Sequence, residues 1–354
     1  MSSNHTISRF VRAVLAAAAA LAFILPFAAC GSGGTAAQGL TKVTFMNWWA
    51  PDTNHIGVYV AQNKGYYREA GLDVTIVPVS QAGSEQAVNT GAADFSISTM
   101  TNVSVYDAKG AHITMVMQMQ QKPSAIWCSL ASNTAISSPK DFDGKTFATF
   151  GSSESDAVVR RMIQHDGGSG DFDKVTVGTS TFQALQSGRA DFGGFYSTWE
   201  GVQAQLHGPE LNCFTEPDYG VPGNADSIGV ITSEQMVKND PKTVRAFVEA
   251  TKRGYEYAYS HPDDASEILA HEAPDANLEL DLVKASMKTI VDGEYWGSRK
   301  AIADGSFTFG MPDTMQTQAY FDFLAQEDAY TDADGKVLHT APSAKSLSTG
   351  EFVQ

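Results

Sequence analysis

Short apolar runs alternate with segments of helical spacing along most of the chain after residue 42. The segments at 72–79 and 113–119 are predicted to be strands. The segment 244–259 instead places apolar residues at the 3.6-residue spacing of an amphipathic helix. Repeated strand–helix–strand units require a mostly parallel sheet. The pattern therefore predicts an α/β protein.

The strand–helix units fall into two sets. The triplet Ala-Asp-Phe occurs at 93–95 and again at 190–192, each time where a helix gives way to a strand. This recurrence predicts two similarly built lobes, linked by a crossing strand at 126–130 and a return near 217–221. A cleft between such lobes closes on a ligand by hinge motion. We expect a first lobe formed by 42–127 and a helix-rich 223–354, and a second lobe formed by 128–222.

The first thirty residues resemble an export signal. Arg9 and Arg12 precede an apolar run from 13 to 29, and the segment ends in Phe-Ala-Ala-Cys at Cys30, which resembles a lipobox. A retained membrane anchor is the competing interpretation, because the run is about as long as a short membrane span. We favour a lipoprotein signal over 1–30, followed by a flexible leader over 31–41. Cys30 would then be the lipidated amino terminus, anchored in the cell membrane on its extracytoplasmic face.

Charge and cysteine content narrow the classes further. The chain of 354 residues has a formal net charge of −16, which disfavours nucleic acid as a partner and suits a solubilising surface. An exported protein permits a disulfide between Cys128 and Cys213, but the sequence alone leaves their pairing open. We expect no metal site, because no histidine and cysteine residues share the spacing of metal ligands. We also expect no cofactor.

Three polar and aromatic segments are expected at strand ends that face the cleft. They are Asn-Trp-Trp-Ala-Pro-Asp-Thr-Asn-His at 47–55, Asp-Phe-Gly-Gly-Phe-Tyr-Ser-Thr-Trp-Glu at 191–200 and Glu-Pro-Asp-Tyr-Gly-Val-Pro at 216–222. Ligands of open α/β sheets bind at the carboxyl ends of strands. None of the three segments contains Arg or Lys, which favours a neutral or weakly basic planar ligand over a free anion. The Gly-Ser-Ser turn at 151–153 precedes a helix and is a candidate for donating amides to a phosphate or formyl oxygen.

The first segment and its continuation to Val74 resemble the substrate-binding proteins that unite sulfonate binders with thiamine pyrimidine synthesis-like proteins. The branch that binds thiamine pyrimidine precursors typically reads W-x-P-N-x-N-H-x-G-L-Y-V-A. This chain has Asp52 and Val58 where that branch has Asn and Leu. Trp-Glu at 199–200 and Asp-Tyr-Gly-Val-Pro at 218–222 are similar to the same branch. The resemblance implies a type II periplasmic-binding-protein fold, with two Rossmann-like lobes and a two-segment hinge.

The resemblance also implies a set of ligand-binding residues. Glu200 matches the glutamate that binds the aminopyrimidine, and a carboxylate can accept from an exocyclic amino group and pair with a ring nitrogen. Tyr196 and Trp199 are available to cover the ring. Competing interpretations are a core role for Trp199, a solvated first-turn acid at Glu200 and an ordinary hinge turn at 217–222. The expected ligand-binding set is Trp48, Trp49, Asn54, His55, Tyr196, Trp199, Glu200, Asp218 and Tyr219.

The function implied by the resemblance is that of a monomeric solute-binding lipoprotein of an ABC importer, and not of an enzyme. Such a protein captures a hydroxymethylpyrimidine or formylaminopyrimidine and delivers it to a permease and its ATPase. One alternative is a binding protein for another flat solute, such as riboflavin or an aromatic sulfonate. A second is an enzyme like the fungal pyrimidine synthases, which resemble this fold and consume their own histidine and a lysine-bound pyridoxal phosphate. His55 falls in the matching turn, but the export signal argues against the enzyme.

Overall fold

The structure is a computed structural model, and it describes residues 39–354. The expected signal segment, the expected lipidation site at Cys30 and most of the expected leader lie outside the described residues. Within 39–354, no helix combines the length and the apolar character needed to cross a membrane.

The described chain alternates strands with helices, as the apolar pattern predicts. The strands are β1 (Thr41–Met46), β2 (Leu72–Val77), β3 (Phe95–Thr99), β4 (Ile113–Gln118), β5 (Ala125–Leu130), β6 (Thr146–Thr149), β7 (Asp173–Thr176), β8 (Phe192–Tyr196), β9 (Leu211–Thr215), β10 (Ile228–Ser233), β11 (Tyr330–Thr331) and β12 (Val337–Leu338). The helices are α1 (Ile56–Asn63), α2 (Tyr66–Glu69), α3 (Ser84–Thr90), α4 (Met100–Ala108), α5 (Ser153–His165), α6 (Thr181–Gln186), α7 (Glu200–His207), α8 (Glu234–Asn239), α9 (Pro241–Ser260), α10 (Pro262–Glu272), α11 (Leu280–Asp292), α12 (Arg299–Ala303) and α13 (Thr314–Gln326).

Two five-stranded sheets define two lobes, and the α/β class is confirmed. The first sheet has the order β2-β1-β3-β10-β4 and the second has the order β7-β6-β8-β5-β9. The expectation of mostly parallel sheets is wrong at half of the strand pairs. β10 runs antiparallel to β3 and β4, and β5 runs antiparallel to β8 and β9. The physical reason is that β5 and β10 carry the chain from one sheet to the other, so neither follows a helical crossover within its own sheet.

The repeated Ala-Asp-Phe triplet has the same structural role in both lobes. Oδ2 of Asp94 accepts a hydrogen bond from the nitrogen of Thr44 at 2.7 Å, and the nitrogen of Asp94 donates to the oxygen of Thr44 at 2.9 Å. Asp191 makes the corresponding pair of bonds with Thr146, at 2.9 Å and 2.8 Å. In each case the aspartate ties the start of a strand to its parallel neighbour, which is β1 in the first lobe and β6 in the second. The repeat therefore marks equivalent corners of two similar sheets.

The helical segment after β10 packs on the first sheet through α9. Phe247 of α9 stacks on Phe95 of β3, with ring centroids 4.0 Å apart. Gly254 permits α9 to touch α1, because a Cβ atom there would lie 2.0 Å from the carbonyl oxygen of Gly57. This close contact fixes α1, and with it the 47–55 segment just before that helix.

Helix α13 packs against both lobes. Phe321 belongs to a buried cluster with Met115 of the first sheet, whereas Tyr320 and Phe323 belong to a cluster with Trp127 of the second. The sequence-based boundaries put all of 223–354 in the first lobe, and those boundaries stay a prediction. Since α13 contacts both cores, it connects the two lobes in addition to the crossings before β5 and β10.

A disulfide joins Cys128 and Cys213, which answers the pairing question that the sequence left open. The two residues are directly opposite each other on the antiparallel strands β5 and β9, with Cα atoms 4.1 Å apart. The bond therefore ties β9, at the edge of the second sheet, to its neighbour.

Candidate functional site

A cavity of about 650 Å³ lies between the two sheets and is lined by residues of both lobes. Its walls are strongly aromatic, and its volume is in the range of small-molecule sites. The first lobe contributes residues that follow β1 and residues of α4, and the second contributes residues from β5, β6, the start of α5, β8 and the start of α7. The aromatic lining consists of Trp48, Trp49, Trp127, Phe147, Phe150, Phe195, Tyr196 and Trp199.

The turn after β1 is held in shape by its own polar groups. Oδ1 of Asp52 accepts a hydrogen bond from the nitrogen of Asn54 at 2.9 Å and caps the 3₁₀ turn Thr53–His55 that leads into α1. Nδ1 of His55 lies 2.9 Å from the same Asp52 oxygen, and Nε2 of His55 accepts from the nitrogen of Trp48 at 3.3 Å. Trp48, Asp52 and Asn54 line the cavity. The local network therefore presents these three side chains to it.

His55 has a different place from the one expected. Its side chain is fully buried and is not part of the cavity lining. Both ring nitrogens face groups of the preceding turn, so the ring packs behind the wall that Trp48 and Asp52 form. The resemblance placed His55 among the ligand-binding residues, whereas the structure places its ring behind the cavity wall.

Trp49 reaches across the cavity to the second lobe. Its ring meets that of Phe150 edge-on, with centroids 5.7 Å apart and an interplanar angle of 77°. Trp48, in contrast, is partly buried and packs against the core of the first lobe. Of the two adjacent tryptophans, one therefore anchors the turn and the other contacts the opposite lobe.

Glu200 is the first residue of α7 and lines the cavity close to the end of β8. Oε2 of Glu200 accepts a hydrogen bond from the nitrogen of Tyr196 at 3.0 Å. Burial raises the pKa of the Glu200 carboxyl, and the Tyr196 donor opposes that shift. Tyr196 and Trp199 also line the cavity, and Trp199 packs in addition against the core of the first lobe. The structure thus brings together Glu200 and the two rings expected beside it.

Asp218 and Tyr219 do not line the cavity, in contrast to the expectation. Asp218 is exposed and accepts a hydrogen bond from Oγ1 of Thr215 at 2.5 Å. Tyr219 packs edge-on against Phe214 and His165. The reason is that Pro217–Tyr219 form a short 3₁₀ turn immediately after β9. Glu216, the first residue of the 216–222 segment, lines the cavity instead.

Three acidic residues of the cavity were not identified from the sequence: Glu154, Glu216 and Asp226. Oε1 of Glu216 accepts from Nε1 of Trp127 at 3.1 Å, and Oε1 of Glu154 accepts from the hydroxyl of Tyr320 at 2.6 Å. Oδ2 of Asp226 accepts from the backbone nitrogens of the crossing before β5, at 2.5 and 2.6 Å. Burial raises the pKa of all three carboxyls, and the charge of Asp226 adds to the shift at Glu154 and Glu216.

The sequence contains only indirect signals for these three acids. Glu216 directly precedes the Pro-Asp-Tyr-Gly-Val-Pro phrase, and Asp226 lies on the second crossing, two residues before β10. Glu154 follows the Gly-Ser-Ser turn that was a candidate for donating amides to a phosphate or formyl oxygen. That turn lines the cavity, but Oγ of Ser152 caps α5 by accepting from the nitrogen of Ser155 at 3.2 Å. A carboxylate in the same helical turn makes the place unfavourable for phosphate.

The charge of the cavity is strongly unbalanced. Asp52, Glu154, Glu200, Glu216 and Asp226 all line it, and the exposed Lys109 is the one cationic side chain in the described lining. Across residues 39–354, no group of histidine, cysteine, aspartate and glutamate side chains has the arrangement of a metal site. The cavity is therefore suited to a planar ligand that donates hydrogen bonds or carries positive charge.

A second cavity, of about 920 Å³, lies on the other side of Trp48 and Trp49. Its lining comes from 47–85 and 272–276, within the first lobe. Hinge motion between the lobes would not close it around a ligand. We therefore take the cavity between the sheets as the candidate site.

Residues 52–265 match the family model described as NMT1/THI5 like. The chain is 30% identical over 248 residues to the formylaminopyrimidine-binding protein of Halalkalibacterium halodurans, covering 69% of this chain and 74% of that protein. It is 25% identical to the riboflavin-binding protein RibY of Chloroflexus aurantiacus, over 68% of each chain. It is 22% identical to the 4-amino-5-hydroxymethyl-2-methylpyrimidine phosphate synthase THI13 of Saccharomyces cerevisiae, over 68% of this chain and 73% of the synthase.

The fold is similar to that of a solved binding protein. The alkanesulfonate-binding protein SsuA from Xanthomonas axonopodis pv. citri, bound to MOPS, superposes with a TM-score of 0.62 at 14% sequence identity. The similarity covers 88% of this chain and 99% of SsuA. At that identity the comparison supports the two-lobed fold and carries no information on the ligand.

Proposed function

Since the chain belongs to the NMT1/THI5-like family, we propose that it is a solute-binding protein that captures a thiamine pyrimidine precursor between its two lobes. The ligand is of the hydroxymethylpyrimidine or formylaminopyrimidine type. The observation that carries the proposal is the position of Glu200, which lines an aromatic cavity between the sheets beside Tyr196 and Trp199. The 30% identity to a formylaminopyrimidine-binding protein supports the same ligand class.

The chemistry of the cavity fits an aminopyrimidine. One oxygen of Glu200 is held by the nitrogen of Tyr196, which leaves the other for the exocyclic amino group or a ring nitrogen of the ligand. Tyr196, Trp199, Trp48 and Trp49 supply ring surfaces for stacking. In this proposal, the amide nitrogen of Asn54, which donates one hydrogen bond to Oδ2 of Asp52 at 3.1 Å, donates its other hydrogen to the ligand, while Asp218 and Tyr219 have no contact with the ligand.

A pyrimidine synthase is the second candidate, because several relatives of about 22% identity are named as such. An enzyme that consumes its own histidine requires that side chain inside the cavity. His55 is instead fully buried behind the wall, with both nitrogens facing neighbouring protein groups. This geometry favours binding over catalysis.

Delivery to a transporter completes the proposal. The protein acts as a monomer on the extracytoplasmic face of the cell membrane, anchored through a lipidated Cys30. It passes its ligand to an ABC permease that is driven by an ATPase. The similarity of the fold to the sulfonate-binding protein SsuA is in keeping with this role.

Calorimetry with four ligands tests the proposed function. We expect 4-amino-5-hydroxymethyl-2-methylpyrimidine or its formylaminomethyl analogue to bind in the micromolar range or tighter, which corresponds to about −8 kcal/mol or stronger. Riboflavin and an aromatic sulfonate are the comparison ligands. Tight binding of either one, with no heat from the pyrimidines, would refute the assignment and favour another flat solute.

A further inference from the structure

The acidic side chains that line the cavity fall into two groups by the charges that act on them: Asp52 with Glu200, and Glu154 with Glu216 and Asp226. Burial is the main cause that raises the pKa of Glu200, and the charge of Asp52 adds to it. Burial likewise raises the pKa of Glu216, and the charges of Asp226 and Glu154 add to that shift. Burial raises the pKa of the Tyr196 hydroxyl, and the charges of acids from both groups raise it further. The proposed contact between Glu200 and the pyrimidine involves only the first group, which consists of Asp52 and Glu200. The second group, Glu154, Glu216 and Asp226, has no role in it.

The second group has no cation beside it. Among residues 39–354, no nitrogen of lysine, arginine or histidine comes within 4.0 Å of the carboxylates of Glu154, Glu216 or Asp226. Lys109 lines the cavity but is exposed, where water screens its charge. Buried carboxylates are ordinarily paired, or else they are neutralised by protonation.

Two of these side chains keep an oxygen free towards the cavity. Glu216 and Asp226 are each only 3% exposed, and both line the cavity. Glu216 uses Oε1 to accept from Trp127, and Asp226 uses Oδ2 to accept from Ser124 and Ala125. The other oxygen of each side chain has no hydrogen-bond partner in the described chain. Neither of these oxygens is among the unpartnered side-chain atoms that are fully shielded from solvent. Each is therefore an acceptor in an otherwise buried side chain that remains open to the cavity.

We propose that the ligand carries, in addition to its aminopyrimidine ring, a protonated primary amine that binds between Glu216 and Asp226. An ammonium group has three donors and a full charge, which match two free carboxylate oxygens. Glu154 adds negative charge beside them. This inference rests on the proposed function and ranks the ligands within its class: an aminoalkyl-substituted aminopyrimidine binds more tightly than its hydroxymethyl and formylated relatives.

The choice of the amine follows from the cost of the alternatives. A hydroxymethyl group has one donor and no charge, so at most one of the two oxygens gains a partner. A formylamino group likewise has one N–H donor, and it adds an acceptor oxygen beside three carboxylates. Both leave the acidic group uncompensated in a partly dehydrated site, whereas an ammonium ion compensates it.

The test compares 4-amino-5-aminomethyl-2-methylpyrimidine with 4-amino-5-hydroxymethyl-2-methylpyrimidine by calorimetry at neutral pH. We expect the amine to bind the wild-type protein roughly tenfold to a hundredfold more tightly, the range for a charge-assisted hydrogen bond. Glu216→Gln should lose most of that preference and retain its affinity for the hydroxymethyl compound. Glu234→Gln, at an exposed glutamate outside the cavity, is the matched control and should behave as wild type.

The outcomes separate this inference from the proposed function. If both pyrimidines bind wild type equally, or the hydroxymethyl compound binds more tightly, the inference is overturned and the proposed function stands. That result would mean that the buried acids bind protons in place of an amine. If neither compound binds and the formylaminomethyl analogue does not bind either, the proposed function fails as well. The comparison of the two pyrimidines on the wild-type protein tests the inference even if Glu216→Gln does not fold.

Discussion

The backbone nitrogen of Tyr196 donates a hydrogen bond to Oε2 of Glu200 at 3.0 Å, across the turn between β8 and α7. This bond holds the carboxylate of a first-turn helical residue against the end of the strand. One oxygen is thereby committed to the protein, and the other is available at the cavity wall. The turn that shapes the second lobe thus also orients the residue on which the proposed ligand contact depends.

Glu200→Gln should weaken aminopyrimidine binding by about 1.5–3 kcal/mol, the range for a hydrogen bond to a charged group. Glutamine can keep the bond from Tyr196 with its amide oxygen, but it then presents a donor to the ligand's amino group. Calorimetry measures the loss. Glu234→Gln changes an exposed glutamate at the same position of α8 and is the matched control, with no expected effect. Unchanged affinity in Glu200→Gln would remove this residue from the site.

In the ligand-free protein, the buried carboxyl of Glu216 should lower the free energy of unfolding by an amount that grows as the pH rises. Burial and neighbouring acids raise the pKa of this carboxyl in the folded state, so the folded protein binds its proton more tightly than the unfolded chain does. The stability contributed by the group is therefore present at low pH, below the unfolded pKa, and is lost as the pH rises towards the folded pKa. Each unit of difference in pKa corresponds to about 1.4 kcal/mol.

Glu216→Gln removes this titration, and urea denaturation from pH 4 to pH 8 measures the effect. We expect the variant to gain stability relative to wild type as the pH rises. The acids on the surface that have lowered pKa values are common to both proteins, so they cancel in the comparison. A difference between wild type and Glu216→Gln that stays constant with pH would contradict the account.

The disulfide between Cys128 and Cys213 should stabilise the fold by about 2–4 kcal/mol, because it closes a long loop in the unfolded chain. Its residues are 85 positions apart, and they join β5 to β9. Urea denaturation of the oxidised and reduced wild-type protein measures the difference. The double variant Cys128→Ala/Cys213→Ala is the control, since reductant should not change its stability. Equal stability of the oxidised and reduced wild type would show that the bond contributes nothing.

Lipidation of Cys30 remains a prediction from the sequence. Labelling with a radioactive fatty acid in cells should mark the wild-type protein and fail for Cys30→Ser, because the thiol is the attachment point. The variant should also be released from the membrane fraction. Label that persists in Cys30→Ser would refute the assignment, as would wild-type protein recovered freely in soluble form.

The sequence was sufficient for features that depend on local pattern. Apolar runs located the strands, and the Ala-Asp-Phe repeat pointed to two similar lobes because Asp94 and Asp191 make the same bonds. The motif around 47–55 and the Trp-Glu at 199–200 identified residues that do line one cavity. These features could be predicted because each is encoded within a few consecutive residues.

Features that depend on distant contacts were missed. The antiparallel placement of β5 and β10 follows from how the chain crosses between sheets, which no local pattern encodes. Glu154, Glu216 and Asp226 meet only because α5, β9 and the second crossing converge. His55 was predicted to reach the ligand because its motif fits. The contacts of its ring with Trp48 and Asp52, which place it behind the wall, are visible only in three dimensions.

A crystal structure of the protein with a bound aminopyrimidine tests the central claim most directly. We predict that the ring lies between the lobes, covered by Trp199 and Tyr196, with its exocyclic amino group within hydrogen-bond distance of the free oxygen of Glu200. A ring bound on the other side of Trp48 and Trp49, in the cavity within the first lobe, would contradict the account. So would a ring between the lobes that makes no contact with Glu200.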